Sequence, residues 1–242
     1  MINLSARQIQ ILRAIIEEFI ETAASVGSDT IDKKFQIGVS PATIRNEMVV
    51  LTQKGYLKKS HSSAGRLPTP QALKLYVNEL MKEKELSVAD EVSAKEKIWS
   101  SRDELSHLLK EATAVLADRT NSLGIAMTSD RRLYHSGYAN LLQMPEFYDI
   151  DVMRTVLSLI EEASLLEEIF DFGKSENQIH MVYGSELGNK NLDSVGVIYT
   201  RLDFGDNVCR LGVIGSSRFE YRYVIPLMKY FRALLLEMGA GA

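Results

Sequence analysis

The sequence predicts an α+β protein in two parts: a small helical module with one hairpin, and a larger part with a mostly antiparallel sheet and flanking helices. Three observations support this prediction. Capped stretches with apolar residues at helical spacing occupy the first third of the chain. After residue 120, short apolar runs bounded by turn residues alternate with further helical stretches. The two parts also differ in the sign of their net charge.

Three helices are predicted in the first part. Ser5-Ala6-Arg7-Gln8 has the pattern of a capping box, and an apolar stripe follows it at helical spacing. Ser28 can cap a short second helix, and Ile37-Gly38-Val39 forms a tight turn behind it. Ser40 can cap a third helix, and Gly55 offers that helix a left-handed stop. The order is therefore helix, short turn, helix.

The third helix is predicted to have two different faces. One face is an apolar seam of Ile44, Met48 and Leu51, and the other carries Ala42, Asn46, Val49 and Gln53. Arginine can form two hydrogen bonds with guanine, and asparagine can form two with adenine. A small methyl group can pack on the methyl group of thymine. Recognition helices contact bases mainly through their N-terminal residues. The candidate base-reading residues are Ser40, Ala42, Thr43, Arg45 and Asn46.

A short basic hairpin follows the third helix. Two strand candidates, 56–59 and 66–68, are joined by the turn residues 60–65. Basic side chains here would contact phosphates, which supply affinity and register while bases are read elsewhere. The candidate residues are Lys58, Lys59, His61, Ser62, Ser63 and Arg66. The pattern is that of a winged helix-turn-helix, although a solvated helix face and an exposed loop histidine would fit the same residues.

The charge distribution agrees with nucleic-acid binding by the first part. From Lys33 to Lys74 there are eight basic residues and a single acidic one, Glu47. Residues 1–80 hold ten Lys or Arg and seven Asp or Glu, which gives +3. The whole chain has a net charge of −4, so the remainder has −7. This is the pattern expected of a protein in which a basic nucleic-acid-binding domain is joined to an acidic second domain.

The rest of the chain divides into a helix, a charged stretch and the larger domain. A helix over 71–81 closes the first domain, and residues 82–97 are a linker or an exposed helix. We predict domains over 1–82 and 101–242, with a linker over 83–100. Within the second domain, helices are predicted at 102–120, 151–170 and 221–238, and strands at 123–127, 133–138, 179–183, 195–203 and 209–214.

Composition and motif spacing argue against an enzyme. The histidines lack zinc-ligand spacing, and the segment 184–190 lacks the Gly-Lys-Ser/Thr ending of a phosphate loop. We therefore expect no catalytic residue, no metal and no cofactor. The single cysteine, Cys209, excludes an intrachain disulfide and suits a reducing compartment. No apolar run is long enough for a membrane span and no signal peptide is recognisable, so we expect a cytoplasmic protein without a membrane partner.

Several long motifs resemble the HrcA family, the bacterial heat-inducible transcription repressors, over nearly the full chain. The motifs are Val26-Gly27-Ser28, Ser40 to Met48 with the signature ATIRNEM, Gly55-Tyr56-Leu57, His61 to Thr69, Asn140-Leu141-Leu142, Pro145-Glu146-Phe147 and Gly212 to Tyr221. The resemblance implies an N-terminal winged helix and a C-terminal GAF-like domain. It also implies a homodimer on double-stranded DNA, at an inverted-repeat operator called CIRCE. The family represses chaperone operons, and the GroE chaperonin keeps the repressor active.

The chain departs from the family pattern in two respects. Family members are longer and carry a dimerisation segment inserted in the GAF-like domain. Here residues 120–137 pass directly from a helix to a hairpin, so that segment is missing and the mode of dimerisation is open. In addition, Ser216-Ser217-Arg218-Phe219-Glu220-Tyr221 replaces the family's usual Pro-Thr-Arg-Met-Asp-Tyr.

Two other functions compete with a chaperone-controlled repressor. The first is a transcription regulator whose GAF-like domain senses a small molecule, which would require a sizeable pocket with converging polar groups. The second is an interaction protein whose winged fold binds protein or RNA, since fold alone does not fix function. An acidic or aromatic outer face on the third helix would favour the second alternative, and Arg45 and Asn46 argue against it.

Overall fold

The computed structural model of the protein describes residues 3–59, 65–102, 104–172, 178–205 and 207–239. The chain forms two compact units, Met1–Lys82 and Glu83–Ala242. Helices pack with a two-stranded sheet in the first unit and with a five-stranded sheet in the second. The predicted α+β class is therefore confirmed.

In its described residues the first unit has four α-helices and two short strands. They are α1 (Ala6–Thr22), α2 (Ser28–Phe35), α3 (Pro41–Gln53), β1 (Leu57–Lys59), β2 (Arg66–Pro68) and α4 (Pro70–Leu75), followed by a π-helical turn over Tyr76–Leu80. The strands β1 and β2 are antiparallel, with Lys58 opposite Leu67. The helix predicted over 71–81 is thus present, but its second half is a π-helical turn.

Local capping explains where α1 begins, and apolar burial explains how the elements of the first unit assemble. The Gln8 amide donates to Ser5 Oγ at 3.2 Å, and the Ser5 amide donates to Gln8 Oε1 at 3.1 Å. This is the predicted capping box, and it satisfies two backbone donors that a helix start leaves unpaired. The apolar core of the unit includes Ile11, Leu12, Ile15, Ile16, Ile31, Ile44, Met48, Leu51, Leu57 and Leu73.

The second unit contains the predicted helices and strands in the predicted order, together with two further helices. Its elements are α5 (Val88–Trp99), α6 (Leu105–Thr120), β3 (Leu123–Thr128), β4 (Leu133–Ser136), α7 (Tyr138–Leu141), α8 (Ile150–Glu161), α9 (Ala163–Phe172), β5 (Ile179–Tyr183), β6 (Val195–Phe204), β7 (Asn207–Ser216) and α10 (Tyr221–Gly239). The strand order is β4-β3-β7-β6-β5, and every pair is antiparallel. The prediction of a mostly antiparallel sheet is confirmed.

Helices cover both faces of this sheet. On one face, α8 and α9 join a buried cluster that includes Leu123, Ile125, Phe147, Val156, Leu166, Phe170 and Ile214. On the other face, α6 contacts β3, β4 and β7, and α10 contacts β6. A Cβ atom at Gly124 would meet the Thr113 carbonyl oxygen at 2.1 Å, so the α6 backbone lies directly against β3. Only glycine permits this approach.

For residues 82–97 the sequence left a linker and an exposed helix open, and the domain prediction took 83–100 as a linker. The structure has the helix α5 in this segment. Its side chains Ala94 and Ile98, one helical turn apart, are buried. Arg119 of α6 pairs with Asp90 at 2.5 Å and donates to Ser93 Oγ at 3.0 Å. The segment packs on α6 through this sparse apolar stripe and ion pair, and it is part of the second unit.

A proline inside α10 leaves a backbone carbonyl to which the chain before α5 binds. Pro226 has no backbone N–H, so the carbonyl of Arg222, four residues earlier, lacks its helical donor. The Lys84 amide donates to that carbonyl at 2.8 Å, and Glu83 forms an ion pair with Lys229. The chain before α5 is therefore held against α10.

Candidate nucleic-acid interface

The helix α3 carries the predicted base-reading residues, and its start is fixed by local chemistry. Ser40 Oγ accepts from the Thr43 amide at 3.2 Å, and Pro41 occupies the first helical position. Gly55 follows the last turn with φ +81°, which is the predicted left-handed stop. The turn before α3 contains positive φ values at Gln36 and Gly38. These features separate α2 and α3 by a tight turn.

The two faces of α3 differ as the helical spacing predicts. Ile44, Met48 and Leu51 have exposed fractions of 0–3%. The opposite face is exposed at Ala42, Asn46, Val49 and Gln53, and Arg45 and Ser40 are exposed beside it. Thr43 is half-buried, because it lies between the faces and its Oγ1 is 3.0 Å from Ser40 Oγ. A guanidinium and a carboxamide therefore stand side by side on the solvent face of a helix that is anchored by its core face.

Contacts with α1 and the segment before it fix the orientation of α3. Glu47 accepts from Gln8 Nε2 at 3.0 Å and lies 3.8 Å from Arg7 Nη1. Lys54 Nζ donates to the Asn3 carbonyl at 2.6 Å. The single acid in the basic stretch 33–74 is therefore turned toward α1. No sequence signal indicated these partners, because they lie far apart along the chain.

The hairpin exposes two lysine side chains, whereas its arginine side chain is partly buried. Lys58 and Lys59 are exposed, whereas Arg66 is half-buried and its Nε donates to Thr52 Oγ1 at 3.2 Å. The backbone of Arg66 pairs in both directions with Val26, at 2.9 and 3.0 Å. Of the predicted hairpin residues, His61, Ser62 and Ser63 lie outside the described residues.

One of the basic residues counted in the sequence is compensated. Lys34 Nζ lies 2.6 Å from both Glu18 Oε2 and Glu21 Oε2, on α1. The hydrogen bonds that Lys34 donates to Glu18 and Glu21 raise the pKa of Lys34, so it stays charged, but two acids accompany that charge. The count of eight basic residues over 33–74 therefore overstates the positive charge that the first unit can offer to a ligand.

Two motifs that resemble the HrcA family meet in the second unit. Arg218, after β7, forms an ion pair with Glu146, which lies in a 3₁₀ turn over Pro145–Phe147. Ser216 Oγ donates to the same carboxylate at 2.8 Å. Burial raises the pKa of Glu146, but the hydrogen bonds from Arg218 and Ser216 outweigh it and the pKa is lowered. Two motifs that lie 70 residues apart along the chain thus form one mostly buried structural contact.

The described residues include a buried thiol and no group of side chains suited to a metal ion. Among them, no three His, Cys, Asp or Glu side chains are grouped so as to hold a metal ion. Cys209 is fully buried in β7, as an apolar filler would be, and burial raises the pKa of its thiol to about 11. Within the same described ranges, no helix combines the length and apolar character that crossing a membrane requires.

Comparison with known proteins finds a matching family model and similar relatives. A family model described as the HrcA protein C terminal domain matches residues 42–225. The heat-inducible transcription repressor HrcA of Clostridium tetani is 33% identical over 206 residues, which cover 84% of this chain and 57% of the relative. The HrcA repressor of Pelotomaculum thermopropionicum is 24% identical over 337 residues, which cover 98% of this chain and 97% of the relative. Since the chain has only 242 residues, part of that relative has no counterpart here.

A solved structure shares the fold. The crystal structure of a hypothetical protein at 2.2 Å resolution superposes with a TM-score of 0.76 and 19% sequence identity, and the match covers 99% of both chains. At this identity the likeness concerns the fold and not the function.

Proposed function

Because this chain belongs to the HrcA family of heat-inducible transcription repressors, we propose that it binds duplex DNA through a winged helix-turn-helix formed by residues 1–82. The observation that carries the proposal is the outer face of α3. Arg45 and Asn46 are exposed there, near the start of a helix whose other face is buried in the core. Recognition helices use their first turns to reach base edges in the major groove.

Within this proposal the residues divide into two roles. Ser40, Ala42, Thr43, Arg45 and Asn46 face base edges and the adjacent backbone. Arg45 would fork onto guanine and Asn46 onto adenine. The hairpin β1–β2 would be the wing, with phosphate contacts from Lys58, Lys59, His61, Ser62, Ser63 and Arg66. Arg66 would also position the wing, since its side chain donates to Thr52 of α3.

The regulatory part of the proposal rests on the family. We propose a cytoplasmic homodimer on a CIRCE-type inverted repeat, because a two-fold protein matches two half-sites. The five-stranded sheet with helices on both faces supports a GAF-like second domain. We propose that the GroE chaperonin maintains repressor activity and that heat relieves repression of chaperone operons.

The packing of the second unit favours this version over a small-molecule sensor. Buried apolar side chains occupy the face of the sheet that α8 and α9 cover, as in a packed protein core. A groove of about 420 Å³ is lined by Glu83, Leu86, Pro226 and Tyr230, on the side of α10 and the preceding segment. This groove lies beside α10 and the segment before α5, so it does not support a ligand pocket against the sheet.

A mobility-shift assay tests the proposal. The full chain is titrated against a duplex with a CIRCE-type inverted repeat and against a scrambled duplex of equal length. We expect a preference of about 10³-fold or more for the repeat. Arg45→Ala and Asn46→Ala should each lose about 1–3 kcal/mol per half-site, which removes most of that preference.

The matched control is Arg154→Ala, which deletes an exposed arginine on α8 of the second unit. It should bind like the original chain, and circular dichroism should show all three variants folded. Unchanged specific binding by both α3 variants would refute the assignment of the base-reading face. Equal binding to an RNA duplex of the same sequence would support the interaction-protein alternative instead.

A further inference from the structure

The outer face of α3 contains an exposed valine between two carboxamides. Val49 is 41% exposed, in contrast to the buried apolar residues of the same helix. At about 100° per residue, positions 42, 46, 49 and 53 fall within an arc of about 60°. The face therefore presents, in order along the helix, Ala42, Asn46, Val49 and Gln53, all of them exposed.

Helix formation does not favour valine at this position. Its side chain is not part of the core, and a β-branched side chain loses rotamer freedom in a helix. Alanine would form the same helix more readily. A valine on the face that carries Arg45 and Asn46 is better explained by what that face contacts.

The order of side chains matches the chemistry of A·T base pairs. Asparagine and glutamine can each fork onto adenine, and the C5 methyl group of thymine projects into the same groove. Asn46 and Val49 are about 4.5 Å apart along the helix axis. Successive bases of one strand are about 3.4 Å apart. With α3 lying along the groove, Val49 would be over the base pair next to the one that Asn46 reads.

We propose that Val49 is a specificity-determining residue, whose methyl groups pack on the C5 methyl group of one thymine in each half-site. This inference rests on the proposed DNA binding by α3 and adds a contact outside the first turns of the helix. The interaction is apolar and shape-dependent, so it distinguishes thymine from cytosine and from uracil without a hydrogen bond. Removing one buried methyl group should weaken binding about fourfold per half-site.

Deoxyuridine substitution isolates this contact, because uracil keeps every hydrogen-bonding group of thymine and lacks only the methyl group. The full chain first selects a duplex from random-sequence DNA. Each thymine of the half-site, with its symmetry mate, is then replaced by deoxyuridine, and the dissociation constant is measured for each duplex. With the original chain, one position should show a loss of about fourfold per half-site.

The variant Val49→Ala should bind the thymine duplex more weakly and show no further loss when uracil stands at that position. The matched control Val92→Ala changes a valine of α5 that is 48% exposed. It should keep the full sensitivity to uracil. Because alanine favours the helix, Val49→Ala should fold at least as well as the original chain.

The outcomes separate the two proposals. If Val49→Ala keeps the same uracil sensitivity at every position, or if the original chain shows none, the valine contact is overturned while DNA binding by α3 stands. If the chain selects no sequence from random DNA, the proposed function itself fails.

Discussion

The ion pair between Glu146 and Arg218 offers a direct test of how the second unit is held together. The perturbation is Glu146→Gln, which keeps the size of the side chain and one acceptor oxygen but removes its charge. Glu146 and Arg218 have side chains that are 15% and 20% exposed, so water replaces the lost partner poorly. The variant leaves the guanidinium partly desolvated and without its counter-charge.

The expected loss in the free energy of unfolding lies between two known limits. Removing one member of a fully buried ion pair costs about 3–5 kcal/mol, whereas an exposed pair contributes about 0–1 kcal/mol. Hydrogen bonds to charged groups contribute about 1.5–3 kcal/mol. Because both side chains are mostly buried and the amide keeps one acceptor, we expect a loss of about 2 kcal/mol. For a domain of this size the midpoint of thermal unfolding should fall by about 4–8 °C.

Fluorescence of the single tryptophan provides the assay. Trp99 lies at the end of α5, so it reports on unfolding of the second unit. Urea titration at pH 7 should show a midpoint lower by about 1 M than that of the original chain, for a slope of about 2 kcal/mol/M. The control Glu168→Gln, at an exposed carboxylate of α9, should leave the midpoint unchanged.

Acidification gives an independent check on the same pair. The folded-state pKa of Glu146 is lowered by Arg218 and Ser216 despite its burial. Its contribution is therefore fully present above the unfolded-state pKa, about 4.3, and is lost as the pH falls through the lower folded-state value. The difference between Glu146→Gln and the original chain should be constant near neutral pH and should shrink below about pH 4. Identical midpoints at pH 7 would refute the reasoning.

Three further predictions concern other parts of the chain. Lys58→Ala and Lys59→Ala should each reduce the slope of log affinity against log salt by about 0.9 per half-site, which is about 1.8 for the dimer, and an unaltered slope would mean that the lysine meets no phosphate. Gly124→Ala should destabilise the second unit by about 1–3 kcal/mol in the same tryptophan assay, because the added Cβ would clash with the Thr113 carbonyl. An unchanged midpoint would show that α6 can move away from β3 without loss of stability. Cys209, whose pKa burial raises to about 11, should react slowly with thiol reagents at pH 8 until urea exposes it, and rapid native labelling would contradict its burial.

Local signals predicted most of the elements. The capping box at Ser5, the start of α3 at Ser40 and the stop at Gly55 lie where the sequence places them. The strands after residue 120 follow their apolar runs, and the helix predicted over 151–170 divides into α8 and α9. Each of these features depends on residues within about one helical turn or one strand of each other, so periodicity and capping suffice to find them.

Long-range packing accounts for the errors. The segment 83–100 has few large apolar residues, and α5 needs only Ala94, Ile98 and the pair of Asp90 with Arg119 to fold onto α6. A sparse stripe of this kind resembles a linker in a single sequence. Likewise, a count of basic residues cannot show that Lys34 is paired with two glutamates of α1.

The sequence by itself determined the two-part organisation, the order and type of most elements, and the face of α3 that bears Arg45, Asn46 and Val49. Those properties follow from residues that are neighbours along the chain. Only the tertiary structure decided that Glu47 turns toward α1, that Arg66 donates to Thr52, and that Glu146 meets Arg218. These contacts join residues that are 14 to 72 positions apart, and no local pattern of side chains records which distant partner the folded chain will bring to each of them.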